Sequence, residues 1–129
     1  MHWWNGMKTD LILPISECTG IYGIYIDNEL VYIGKTTQTF QKRFYQHKHN
    51  IDYPEDSVTQ YDMYYELAVA RAQGSSIQLR PLFIVEYVPY SSLYTITNRD
   101  LESMEFALIW CYRPRYNILG VKKPYKYTH

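Results

Sequence analysis

Apolar and polar positions divide the chain into short strand-like blocks and longer stretches at helical spacing. From Ile21 to Ile33, β-branched and aromatic residues flank a polar break at Asp27-Asn28-Glu29, which predicts two strands joined by a tight turn. Alternation puts Tyr22, Ile24 and Ile26 on one face and Gly23 and Tyr25 on the other. Tyr22 and Tyr32 flank the turn and are expected as neighbours at the open end of the hairpin. Each phenol has a glycine beside it, Gly23 and Gly34, which leaves backbone room for a ligand. Phe40 and Phe44 mark the packed face of a helix expected from about 37–39 through His49, and residues 50–57, with Pro54, read as a loop. A second helix is expected over 60–73, stopped by Gly74, with Tyr64, Leu67, Ala68 and Ala72 packing and Asp62 and Glu66 facing out.

Leu82 to Val88, apolar apart from Glu86 and starting after Pro81, reads as a third strand suited to a central or near-central place. Thr97-Asn98-Arg99-Asp100 opens a last helix, where Asp100 supports the free amides of the first turn. That helix is expected to end near Tyr112, because Pro114 biases Arg113 away from helical geometry. Its packed stripe is Leu101, Met104, Leu108 and Cys111. Glu105 lies beside the stripe, and a carboxylate so close to a core needs a partner or a metal. The order strand, strand, helix, helix, strand, helix is that of a small α+β domain, an antiparallel sheet flanked by helices.

A chain of 129 residues supports one domain. Residues 11–15 read as an irregular lead-in over the core, and the segment Met1-His2-Trp3-Trp4-Asn5-Gly6 carries no assigned role. Net charge is zero, whereas nucleic-acid-binding proteins are usually basic. The distribution changes that picture: Lys35 to Lys48 and Arg113 to Lys126 hold cations and no acid, while Asp52 to Glu66 holds acids and no cation. Such lopsidedness steers a polyanion. Fifteen tyrosines suit half-buried positions with a wet hydroxyl, and packing accounts for most of them. Cys18 and Cys111 are too few for a disulfide framework and form no metal-type cluster, so reduced thiols in a cytoplasmic protein are the simplest reading. No signal peptide or membrane-length apolar run is visible.

The two tripeptides Gly20-Ile21-Tyr22 and Tyr32-Ile33-Gly34, then Lys35, Arg43, His47, Glu105 and the run Pro114-Arg115-Tyr116-Asn117, resemble the GIY-YIG nucleases. The resemblance spans roughly residues 18–119, leaving residues 1–17 as an N-terminal arm and 120–129 as a basic tail. It implies a three-stranded antiparallel sheet flanked by helices and a metal-dependent DNA endonuclease. It also implies one metal-binding carboxylate, Glu105, and a water-activating tyrosine, Tyr22. A single carboxylate leaves the metal to take waters and phosphate oxygens as well, which suits Mg²⁺ or Mn²⁺. A free phenol, with a pKa near ~10, is a poor base at neutral pH unless Lys35 or a metal-bound water assists it.

Arg43 is placed to clamp the scissile phosphate through paired N–H donors. Tyr32 orients a phosphate oxygen or the nucleophile, His47 polarises water or contacts the DNA backbone, and Asn117 braces the loop around Glu105. Lys48, His49, Arg113, Arg115, Lys122, Lys123 and Lys126 are further phosphate contacts. Two alternatives stay open at the residue level: Glu102 as the metal carboxylate, and Lys42 as the clamp if the loop after Tyr32 is shorter. Specificity is left to a partner protein, to self-association or to loops 50–60 and 89–98. A non-catalytic nucleic-acid- or partner-binding module on the same fold is the competing function.

Overall fold

The computed structural model describes residues 14–57, 60–85 and 98–117. Two strands, β1 (Thr19–Ile26) and β2 (Glu29–Thr36), form the expected antiparallel hairpin. Asp27 and Asn28 make its turn with φ of 50° and 69°, the paired left-handed conformation whose twist matches that of the flanking strands. Asp27 also joins the turn to the next strand: its N–H donates to the Ser76 carbonyl at 2.9 Å, and its Oδ1 accepts from the Ser76 N–H at 2.8 Å.

The third strand, β3 (Ile77–Val85), pairs with the other side of β1, giving the order β2-β1-β3. It starts at Ile77 rather than at Leu82, and it occupies an edge rather than the centre. Pro81 lies inside it. A proline has no N–H for a ladder, so it is confined to edges and irregular registers, and the β1–β3 register shifts between Ile21 and Tyr22, where Tyr22 faces Pro81. Central place goes to β1, whose residues are buried on both faces.

The first helix, α1 (Phe40–Asp52), is capped by Thr39, whose side chain accepts from the Lys42 N–H at 3.2 Å. It continues past His49 to Asp52, and a single 3₁₀ turn, Pro54–Asp56, follows where a loop was expected. Pro54 opens that turn, where its fixed φ is already suitable and its missing N–H costs nothing. The second helix, α2 (Tyr61–Ala72), ends before Gly74 with φ +96°. Ala72 is exposed, and Met63 joins Tyr64 and Leu67 inside. The third, α3 (Asn98–Tyr112), stops at Arg113 with φ 46°, just before the buried Pro114, and residues 115–117 add one helical turn. Cys111 is exposed, and Ile109 packs in its stead beside Leu101, Met104 and Leu108.

The sheet therefore separates two apolar layers. Tyr22, Ile24, Val31 and Leu79 pack with Phe40, Phe44 and Ile51 of α1 and Met63, Tyr64 and Leu67 of α2. Ile21 and Ile33 pack with Leu101 of α3. A register shift between Ile24 and Tyr25 places one extra residue in β2, and this lets Val31 and Tyr32 both serve the first layer. No helix among the described residues is long and apolar enough to cross a membrane. The tryptophan-rich arm, most of loop 89–98, and Lys122, Lys123 and Lys126 lie outside the described residues.

Candidate active site

Because β2 is an edge strand, side chains from both layers reach its open side. Tyr22 lies opposite Gly34 and Tyr32 opposite Ile24, so the two phenols are diagonal neighbours within the hairpin, not a pair at its open end. Their ring centroids are 6.4 Å apart. A Cβ on Gly34 would stand 2.5 Å from Tyr22 Oη and 2.9 Å from Tyr32 Cε2. The room beside Gly34 is thus filled by the Tyr22 ring itself rather than kept for a ligand.

Tyr22 is fully buried and is held by two partners. His47 Nε2 lies 2.5 Å from its hydroxyl, and Arg43 Nε donates to it at 3.3 Å. Arg43 and His47 are one turn apart on α1, which is why they converge on a single phenol. The other ring nitrogen of His47, Nδ1, lies 2.6 Å from Tyr64 Oη on α2. Buried on all sides, the imidazole is pushed down to about 3, first by loss of solvent and then by the Arg43 charge. Burial pushes the Tyr22 phenol up, with Tyr32 adding to the rise and Arg43 opposing it. Tyr32 is raised by burial too, and its hydroxyl accepts from Gln60 Nε2 at 3.0 Å. Arg43 Nη1 donates to Gln46 Oε1 at 3.0 Å.

The open edge of β2 is closed by two residues from the C-terminal part of the chain. Asn117 Oδ1 accepts from the Ile33 N–H at 2.7 Å and its Nδ2 donates to the Ile33 carbonyl at 2.9 Å, so one amide side chain substitutes for a neighbouring strand. Two residues on, where outward-pointing backbone groups recur, the Lys35 N–H bonds the Glu105 carboxylate. That contact is the partner the sequence demanded for Glu105. Burial nevertheless raises the Glu105 carboxyl; the Lys35 charge lowers it, and Glu102 raises it further. Lys35 Nζ lies 3.6 Å from Glu102 Oε1, so its charge is shared between the two carboxylates.

Among the described residues no three His, Cys, Asp or Glu side chains gather as a metal cluster. What the site offers a cation is one half-buried carboxylate with a second a turn away and a single shared ammonium. This hard-oxygen donor set suits an ion that keeps most of its waters.

The other residues singled out in the sequence are spread along this edge and beyond it. Lys42 and Lys48 are exposed on α1, and it is Arg43 that reaches Tyr22. His49 Nε2 pairs with Asp56 Oδ2 at 2.8 Å. Arg113 lies over the Trp110 ring and Arg115 over the Tyr116 ring, and both arginines are exposed. Gln60, Tyr64, Gln46 and Asn50 were not expected near the site. Gln60 and Tyr64, spaced i, i+4 next to and on α2, hold Tyr32 and His47, and that spacing was the available signal. Asn50 bonds Tyr64.

A family model described as the GIY-YIG catalytic domain matches residues 18–69, which include Tyr22, Tyr32, Lys35, Arg43 and His47. No curated protein sequence matches the chain. Among solved structures, a mutant of bacteriophage T4 EndoII superimposes with a TM-score of 0.55 at 23% identity, covering 83% of this chain and 78% of that one. At such identity the likeness is one of fold, and its three-stranded antiparallel sheet with flanking helices is the architecture described above. Tripeptide signatures on adjacent strands and the helix bearing Arg43 and His47 all fall within residues 18–69, the part of the chain that matches the GIY-YIG catalytic domain, and the fold around them is shared with T4 EndoII.

Proposed function

We propose that this protein is an endonuclease that hydrolyses DNA phosphodiester bonds with a divalent metal ion, Mg²⁺ or Mn²⁺, held at Glu105. The observation that carries the reading is the meeting of two opposed groups at the edge of β2. Arg43, Tyr22 and His47 come over one face, and Lys35 and Glu105 over the other. A phosphodiester lying along this edge meets a guanidinium on one side of its charge and, on the other, an ammonium beside a carboxylate that would hold a cation.

Arg43 is oriented by Tyr22 and Gln46, which leaves further guanidinium N–H groups for phosphate oxygens. When bound at Glu105, the metal supplies charge compensation and an acidified water. Tyr22 cannot rest as a phenolate, because burial opposes the charge. It acts instead as a relay, giving its proton to His47 Nε2 as it takes one from the attacking water. Burial depresses the imidazole most and the Arg43 charge adds to it; a bound phosphate offsets the second of these, so His47 becomes a better acceptor when substrate is present. Asn117 keeps Ile33 fixed and with it the spacing between Tyr32 and Lys35.

Nicking of supercoiled plasmid in Mg²⁺, compared with EDTA, tests the reading. Metal-dependent nicking supports it, whereas DNA binding without nicking would leave a binding-only module on the same fold.

A further inference from the structure

The Arg43–Tyr22–His47–Tyr64–Asn50 side chains form one hydrogen-bonded chain, buried at Tyr22, His47 and Tyr64 and half-buried at its two ends, that links α1, β1 and α2. Its direction follows from the end that has no choice. A guanidinium only donates, so Arg43 Nε–H occupies a lone pair on Tyr22 Oη. The Tyr22 proton then needs an acceptor, and His47 Nε2 at 2.5 Å is the one in place. A neutral imidazole carries one N–H, so if Nε2 accepts, the proton resides on Nδ1 and is donated to Tyr64 Oη at 2.6 Å. The Asn50 side chain bonds the Tyr64 hydroxyl in the sense that favours its anion, so the amide N–H donates and the phenol oxygen keeps a second lone pair for the Nδ1 proton.

No other described group competes for these positions. Around the imidazole stand Arg43 on its own helix, Tyr22 from β1, Tyr32 from β2 with its ring 6.3 Å away, and Tyr64 from α2. None of them is a carboxylate that could draw the proton to Nε2. The described residues contain no buried side-chain nitrogen or oxygen without a hydrogen-bond partner, so the chain is closed at every link.

The geometry points to Tyr64 as a positioning residue: its hydroxyl accepts the Nδ1 proton of His47, fixes the imidazole as the Nδ1–H tautomer and so aims the Nε2 lone pair at the Tyr22 hydroxyl. This rests on the nuclease reading only where it concerns rate, since the tautomer is a property of the folded protein. Tyr64 touches neither phosphate nor metal in this scheme and acts through His47 alone. It also explains why α2 carries a buried tyrosine there rather than a phenylalanine, because a ring without the hydroxyl would leave the Nδ1 proton with no acceptor.

The test is Tyr64→Phe in the full chain, read in two ways. Long-range ¹⁵N–¹H correlation spectra of histidine-labelled protein report which ring nitrogen of His47 carries the proton, with the resonance assigned by its loss in His47→Gln. The wild type is expected to be protonated at Nδ1. In Tyr64→Phe an Nδ1–H would face an apolar ring, whereas the other tautomer gives its proton to Tyr22 Oη, leaves the Nδ1 lone pair against that ring and turns the Tyr22 O–H away from His47. The population should therefore move to Nε2–H.

Single-turnover plasmid cleavage should then slow by about 10-fold, the scale of one lost orienting hydrogen bond, with DNA affinity unchanged. A wild-type His47 protonated at Nε2, a tautomer that survives Tyr64→Phe, or a cleavage rate that does not follow the tautomer would each overturn the assignment. If the wild type does not cut DNA, the nuclease reading falls while the spectra still decide what Tyr64 does to His47.

Discussion

Gly34→Ala isolates the requirement for space beneath Tyr22. Gly34 is extended and pairs with Tyr22 across the hairpin, and its φ is not left-handed, so alanine meets no backbone strain. Its Cβ would instead lie 2.5 Å from Tyr22 Oη and 2.6 Å from Tyr22 Cζ, where ordinary contact begins near 3.4 Å. The phenol must retreat by about 1 Å in a core as dense as an organic crystal, a shift that overpacking data put at about 1–3 kcal/mol. The same shift breaks the 2.5 Å contact with His47 or the 3.3 Å contact with Arg43, for roughly another 1 kcal/mol. The total, about 2–4 kcal/mol, is measured by urea unfolding as a lower midpoint at unchanged slope. A loss below about 0.5 kcal/mol would mean that Tyr22 is not pinned where its hydrogen bonds place it. Normal cleavage in a variant that unfolds earlier would equally show that the Tyr22 hydroxyl needs no fixed position.

Asn117→Ala should cost about 1–3 kcal/mol in the same unfolding assay, because it leaves the N–H and carbonyl of Ile33 without their partner. His47 has a folded-state value lowered to about 3 from the usual 6.5, so the unfolded chain binds the extra proton between those limits. Stability is therefore lost as pH falls from about 6.5 towards 3, by up to about 1.4 kcal/mol per pH unit from this one group. His47→Gln should flatten that part of the profile. Tyr22→Phe removes the relay and should slow single-turnover cleavage by ~10²–10⁴-fold. Tyr32→Phe loses an orienting bond to Gln60 and should cost only about 10-fold.

The hairpin, its turn and the helix bearing Arg43 and His47 were legible because each rests on local rules: alternation, a two-residue turn, a threonine cap. The convergence of Tyr22, Arg43 and His47 followed from helical spacing next to a strand. The position of β3 was misread because its apolar run suggested burial on both faces, while the decisive residue was Pro81. A proline can sit inside a strand only at an edge or a register shift, and it marks both here. The far end of α1 was cut short at Asn50 because polar residues there look like a loop, yet its amide backbone continues to Asp52. Tyr64 and Gln60 were hidden for a different reason. Their i, i+4 spacing marks a shared face, but which groups that face meets depends on how α2 lies against α1 and β2, and no local pattern encodes that packing. Glu105 looked like a carboxylate in need of a partner, but its partner is a backbone N–H at the free edge of β2, a group with no signature in side-chain sequence.

Glu105→Gln offers the most direct decision on whether this edge of β2 is a metal-assisted nuclease site. Glutamine keeps the size and can still accept the Lys35 N–H, so the fold should survive, while the carboxylate charge that would hold a cation is gone. Single-turnover cleavage of plasmid in Mg²⁺ is the measurement, with DNA binding followed in parallel. The expected result is cleavage by the wild type, none detectable for Glu105→Gln, and binding by the variant that is equal or tighter, because a negative charge beside phosphate has been removed. A variant that still cuts at close to the wild-type rate would contradict metal binding at Glu105 and pass that role to Glu102.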